Sequence, residues 1–247
     1  DEAYLLATEA WEMAPTNPEV LITLSETQQW MLNHEAERDS LDRALQLHAH
    51  HPVALARSLQ AEDPSWLPHL RLDEVKREFT QRPTRHMHLA FIHALLRAYK
   101  YDLALDESRR LILRDPQHQE AKLALARSLT YLGHLTEASE VLEQVLEVDA
   151  RHPIGLFLKC FLSQLNQALD GEEALTQLQA LSLRSSRVAL LYGHALSLFG
   201  RVREAHHVCL NLHRKYPRRA AALSAYCSSL TELGEHQLVE RLCLERL

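Results

Sequence analysis

Sixteen histidines and four cysteines are the side chains here best equipped for chemistry. Three groupings approach metal-ligand spacing. His206, Cys209 and His213 stand three and four residues apart, which places them on one face of a helix and could converge on zinc. His86, His88 and His93 surround one expected helix start, and His48, His50 and His51 crowd an expected helix end. Each grouping has a plainer reading. Cys209 falls at a position expected in the core, where a thiol packs as a small hydrophobe, and the sequence names no fourth ligand. Protonated histidines at a helix end would simply favour its negative pole. No metal and no cofactor is expected.

Covalent or acid–base catalysis finds no better footing. No Ser/His/Asp set, glycine-rich phosphate loop or paired-carboxylate motif stands out. Glu172-Glu173 and Asp106-Glu107 follow helix starts, where capping and the helix dipole account for them. The segment is expected not to be an enzyme. A formal charge of −6, without a basic run, points away from nucleic acid. No apolar stretch is long enough to span a membrane. Cys160, Cys209, Cys227 and Cys243 form no Cys-x-x-Cys pair, and the last three are expected to be buried free thiols. Cytoplasmic placement is favoured over periplasmic.

The elements that must position these residues follow a step of about 34 residues. Ala104, Ala138, Ala174 and Ala205 mark one place in successive units, Gly133, Gly200 and Gly234 a second, and Pro116 and Pro217 a third. Within a unit, apolar residues recur at helical spacing: Leu190, Gly193 and Leu196 before Gly200, then Ala205, Cys209 and Leu212 before Pro217. Glycine ends a helix in the left-handed conformation without steric cost, and proline cannot continue one. With 46% apolar and 24% charged residues but only 6 Gly and 9 Pro, the chain reads as all helix.

These residues resemble the tetratricopeptide repeat family. Leu129-Thr-Tyr-Leu-Gly133-His-Leu-Thr-Glu-Ala138 and Tyr192-Gly193-His-Ala195 carry the likeness. It implies an all-α, right-handed superhelical solenoid of antiparallel helix hairpins, about seven repeats long. Residues 1–17 read as the second helix of a truncated repeat, 18–84 as N-terminal repeats of which the second is degenerate, and 85–247 as an array of about five repeats. Glu37 stands where alanine is usual. Asp63-Pro64-Ser65-Trp66-Leu67-Pro68 should break a first helix early, with a second helix around Leu70–Phe79 and a hinge or self-association site nearby. Counting back from Ala174 puts Leu158, Phe161, Leu162 and Leu165 on a core face. Trp11, Trp30 and Trp66 should pack between helices or shield loops. The chain opens without Met inside a helical pattern and closes in another, so it reads as a segment of a longer protein.

The resemblance further implies that first helices line a concave groove. The groove positions include Ile22, Leu96, Leu123, Thr130 and Ser163. Those expected to hold a peptide are His93, Arg97, Arg127, Tyr131, Lys159, Asn166, Arg187 and His194. Four cations among them suggest a protein or peptide partner with acidic groups. No Lys/Asn pair stands at the positions where relatives clamp a C-terminal carboxylate. The expected function is a non-catalytic protein–protein interaction scaffold. The alternatives are a targeting or substrate-presenting arm of a larger transferase or hydroxylase, and a periplasmic scaffold for envelope assembly or exopolysaccharide export.

Overall fold

A computed structural model describes residues 2–31, 33–60, 68–166, 171–217 and 219–244. Among them are fifteen helices and no strand. They are α1 (Glu2–Met13), α2 (Pro18–Trp30), α3 (His34–Leu47), α4 (Pro52–Gln60), α5 (Pro68–Gln81), α6 (Arg85–Arg97), α7 (Tyr101–Arg114) and α8 (Gln119–Tyr131). There follow α9 (Leu135–Val148), α10 (Pro153–Asn166), α11 (Gly171–Ser182), α12 (Ser186–Leu198), α13 (Val202–Lys215), α14 (Ala220–Glu232) and α15 (His236–Leu244). Two compact units result: Asp1–Gln29 with Asn33–Ala150, and Trp30–Leu32 with Arg151–Leu247. In the first, α6, α7, α8 and α9 each pack on their neighbours in sequence, and α6 also touches α8. In the second, α10 to α15 do the same, with α12 touching both α10 and α14.

The repeat marks have direct structural causes. Gly133, Gly200 and Gly234 all have positive φ, between 71° and 83°. At each, the glycine N–H and the next N–H reach back to carbonyls of the ending helix, as in Gly200 to Ser197 at 2.9 Å and Arg201 to Leu196 at 2.9 Å. This Schellman closure satisfies carbonyls that a helix end leaves orphaned. Ala104, Ala138 and Ala205 are fully buried, and Ala174 is 1% exposed, because helix backbones approach closely there. A Cβ on Gly193 would meet Cys209 Sγ at 3.2 Å and Val208 Cγ1 at 3.6 Å. The small residue of the first helix thus faces Cys209 and Val208, not the alanine opposite which the pattern set it.

In the hairpin α2–α3, Glu37 occupies the alanine place yet is only 2% exposed. It survives burial because Gln29 Nε2 donates to its Oε1 at 3.1 Å. Ser40 Oγ donates to Gln28 Oε1 at 2.8 Å, and both residues are buried. Polar pairing here does what methyl contact does in the sister hairpins.

Three expectations need correction. Leu165 is 48% exposed: the buried stripe of α10 runs through Leu156, Leu158, Cys160, Leu162 and Ser163 and turns away before it. Cys243 is exposed and Cys227 half-buried, because no residue of α15 is buried and its outer face is uncovered among the described residues. The helix expected around Leu70–Phe79 is longer, Pro68–Gln81, proline being well suited to a first turn. Trp11 packs half-buried against the Leu21–Leu41 cluster, with Arg43 over its ring at 5.9 Å. Trp66 and the break around Asp63 lie outside the described residues.

Candidate binding site

Three of the sixteen histidines serve helix starts. His51, His118 and His152 each stand just before a first helix, and their Nδ1 atoms accept from Ala54, Ala121 and Gly155 N–H at 3.3–3.4 Å. Thr84 and Ser185 fill the sister places with side-chain oxygens. Each serves as an N-cap, relieving an orphan donor. His51 completes the pattern with Nε2 2.9 Å from Glu19 Oε1, which requires the Nε2–H tautomer. The expectation that His51 serves the negative pole of α3 is therefore reversed: it caps the positive end of α4.

The other metal groupings also disperse. His206 Nδ1 lies 3.2 Å from Ser229 Oγ, while His213 stacks on Tyr226 at 5.1 Å. Among the described residues no three His, Cys, Asp or Glu side chains converge. Burial pushes the Cys160 thiol up to about 12 and the Cys209 thiol to about 11, so neither is a ready thiolate. His88, with a side chain 3% exposed, stacks on Phe79 at 4.7 Å and holds Glu107 at 2.8 Å through Nε2. Burial lowers its pKa, and the Glu107 carboxylate opposes that shift. Pro83, Thr84, Arg85, Leu111, Arg114 and Asp115 join His88 around a cleft of about 340 Å³.

The eight residues expected to hold a peptide divide four to each unit. In the first, His93 and Arg97 stand one turn apart on α6, and Arg127 and Tyr131 one turn apart on α8. Arg97 is half-buried and its Nη2 donates to the Leu59 carbonyl at 3.3 Å. Arg127 is exposed, its guanidinium carbon 5.9 Å from the Tyr131 ring centre. In the second, Lys159 is half-buried on α10 and Asn166 exposed at its end, while Arg187 is half-buried at the start of α12. His194, further along α12, is an exposed residue, and desolvation lowers its pKa against the pull of Glu232. Of the wider groove set, Ile22, Leu96, Leu123, Thr130 and Ser163 are buried and unavailable to a ligand. Neighbouring helices cover them.

Sequence reasoning missed Tyr99 and Tyr101. Tyr101 opens α7 and stacks on Tyr131, ring centres 4.5 Å apart and planes 8° apart. Tyr99 approaches Tyr101 edge-on at 6.3 Å. Burial first, then the neighbouring Tyr131, raises the Tyr101 pKa. The only sequence signal was Tyr99 itself, one step of the repeat before Gly133.

This architecture is that of a helical-repeat protein, and comparison places it. Residues 95–154 match the tetratricopeptide repeat family model. No curated protein matches the chain by sequence. Among solved structures, a tetratricopeptide repeat protein from Parabacteroides merdae is similar, with a TM-score of 0.56 at 13% identity, covering 91% of this chain and 90% of that one. TTC0263, a thermophilic TPR protein in Thermus thermophilus, gives 0.51 at 15% identity over 87% of this chain and 100% of its own. PilW, a widely conserved type IV pilus biogenesis factor, gives 0.50 at 13% identity over 84% and 97%. The tetratricopeptide repeat is thus matched by sequence over residues 95–154, and the fold is similar to that of tetratricopeptide repeat proteins over most of the chain's length. Such repeats generally serve protein interaction and not catalysis, and none of the described helices is long and apolar enough to cross a membrane.

Proposed function

We propose that this chain is a non-catalytic scaffold that binds a partner protein through acidic groups on a peptide segment. Arg127 carries the reading. It is exposed, it lies against an aromatic ring, and among the described residues no carboxylate pairs with it. A guanidinium so placed offers two parallel donors to a carboxylate, and the ring beside it shields the contact from water. His93, Arg97 and Tyr131 extend this surface within the first unit. Lys159 and Arg187 offer the second unit two cations of its own, with Asn166 and His194 as further polar groups.

The test uses a short fluorescein-labelled glutamate-rich peptide and fluorescence anisotropy on the whole chain. Arg127→Glu in the first unit and Arg187→Glu in the second are each expected to weaken binding about tenfold at their own unit's surface, with circular dichroism showing both variants folded. Unchanged affinity in both variants refutes the assignment. A second reading, a periplasmic scaffold for envelope assembly, draws support from the fold likeness to the pilus biogenesis factor PilW. Cell fractionation of the native protein decides it: recovery with cytoplasmic markers excludes it.

A further inference from the structure

Tyr99 adopts φ 57°, the only non-glycine residue with positive φ among the described residues. Its N–H and that of Lys100 reach back to Leu96 and Leu95 at 3.2 and 3.0 Å, the same closure that Gly133, Gly200 and Gly234 make. Three sister turns thus use glycine where this one uses tyrosine. Packing does not explain the choice, since Tyr99 is 72% exposed. A side chain held at backbone cost, without burial in return, points to a task outside folding.

What the ring does gain is company. Tyr99, Tyr101 and Tyr131 form a continuous aromatic ladder across the α6–α7 turn and the end of α8. Tyr131 is 47% exposed and Leu103 nearby in sequence is 52% exposed. Two positive charges stand beside the ladder: Arg127 beside Tyr131, and Lys100 between Tyr99 and Tyr101 in the chain. Neither pairs with a carboxylate among the described residues. Asp102 is also exposed, in the first turn of α7, where it complements the helix dipole.

We propose that Tyr99, Tyr101 and Tyr131 form a docking platform for an extended, proline-containing acidic segment of a partner protein, with Arg127 gripping its carboxylate. Proline rings lie flat on aromatic faces, and the polyproline conformation is already extended, so little ordering is needed on binding. The two cations select acidic residues beside those prolines. Stacked bases would also suit an aromatic ladder. The ladder, however, is flanked by two cations on a chain of charge −6, too few to track a phosphate backbone. For Arg127 and Tyr131 the proposal rests on the groove reading above; Tyr99 and Tyr101 are its own.

The experiment measures anisotropy of a short fluorescein-labelled peptide alternating proline and glutamate. Comparison probes replace proline by alanine, or glutamate by lysine, and a labelled oligothymidylate stands for nucleic acid. The wild-type chain is expected to prefer the Pro/Glu peptide over the alanine and lysine versions by about tenfold each. Tyr99→Gly is expected to melt about 2–4 °C higher and yet bind the Pro/Glu peptide about tenfold more weakly. Equal binding of the Pro/Glu and Ala/Glu peptides overturns the platform, as does no binding of the former. So does unchanged affinity in Tyr99→Gly, or tighter binding of oligothymidylate than of peptide. If Arg127→Glu weakens binding while Tyr99→Gly does not, the groove reading stands and the platform falls. If only Tyr99→Gly weakens it, the aromatic platform stands, and the Arg127 grip falls together with the acidic-groove reading.

Discussion

Gly171→Ala should destabilise the second unit, although no rule of the repeat asks for glycine there. Tyr101, Leu135 and Val202 occupy the same first position of α7, α9 and α13. In α11, however, a Cβ on residue 171 would stand 2.0 Å from Ser163 Oγ, 2.7 Å from Ser163 Cβ and 2.7 Å from Phe199 Cζ. The hydroxyl can rotate away, though it would give up its 2.8 Å bond to the Cys160 carbonyl. Ser163 Cβ cannot move without the α10 backbone. Overpacking of this kind costs about 1–3 kcal/mol, against which alanine returns somewhat under 1 kcal/mol of helix propensity at a helix start. A net loss of about 1–2 kcal/mol follows. Urea unfolding followed by circular dichroism measures it, and hydrogen exchange on α10 and α11 locates it. Ser163→Ala in the same chain removes the 2.0 Å contact but leaves the 2.7 Å ones, so rescue should be partial, with a coupling above about 0.5 kcal/mol. A Gly171→Ala chain that unfolds with the wild type, or a double variant whose losses simply add, would refute the close approach of α10 and α11.

Two further perturbations probe the histidines. His118→Ala should cost about 1 kcal/mol through loss of the cap on Ala121 N–H, whereas His118→Asn should cost nothing, since asparagine caps well; equal denaturation midpoints for all three chains would contradict the capping role. His88, its pKa lowered by burial, takes up a proton more readily in the unfolded chain, so stability should fall as pH drops below about 6.5 and level off once the folded-state pKa is passed. His88→Gln should flatten, though not abolish, that slope between about pH 7 and pH 5, because burial lowers His86 in the same sense; an unchanged slope in urea midpoints would rule out His88 as a source.

The hairpin plan was legible because its causes are local. Glycine at a Schellman turn, proline after a helix and alanine at a close approach are each demanded by backbone geometry, and they recur wherever that geometry recurs. The cations and Tyr131 were also legible, since helical spacing assigns them to first helices. Other features depend on partners distant in the chain. Glu37 reads as a misfit until Gln29 is found across the hairpin, 3.1 Å away. His51 reads as a charge for the helix behind it until its Nδ1 is seen facing the helix ahead. Leu123 and Thr130 read as groove residues, but neighbouring helices cover them.

Sequence alone determined the all-helical character, the repeat and its punctuation, because each follows from conformational preferences within a turn or two of chain. Only tertiary structure decided which polar residues find partners, which positions on a first helix stay open, and that Tyr99, Tyr101 and Tyr131 share one surface. Those outcomes depend on the approach of side chains from separate helices, and no residue's own preference encodes that approach.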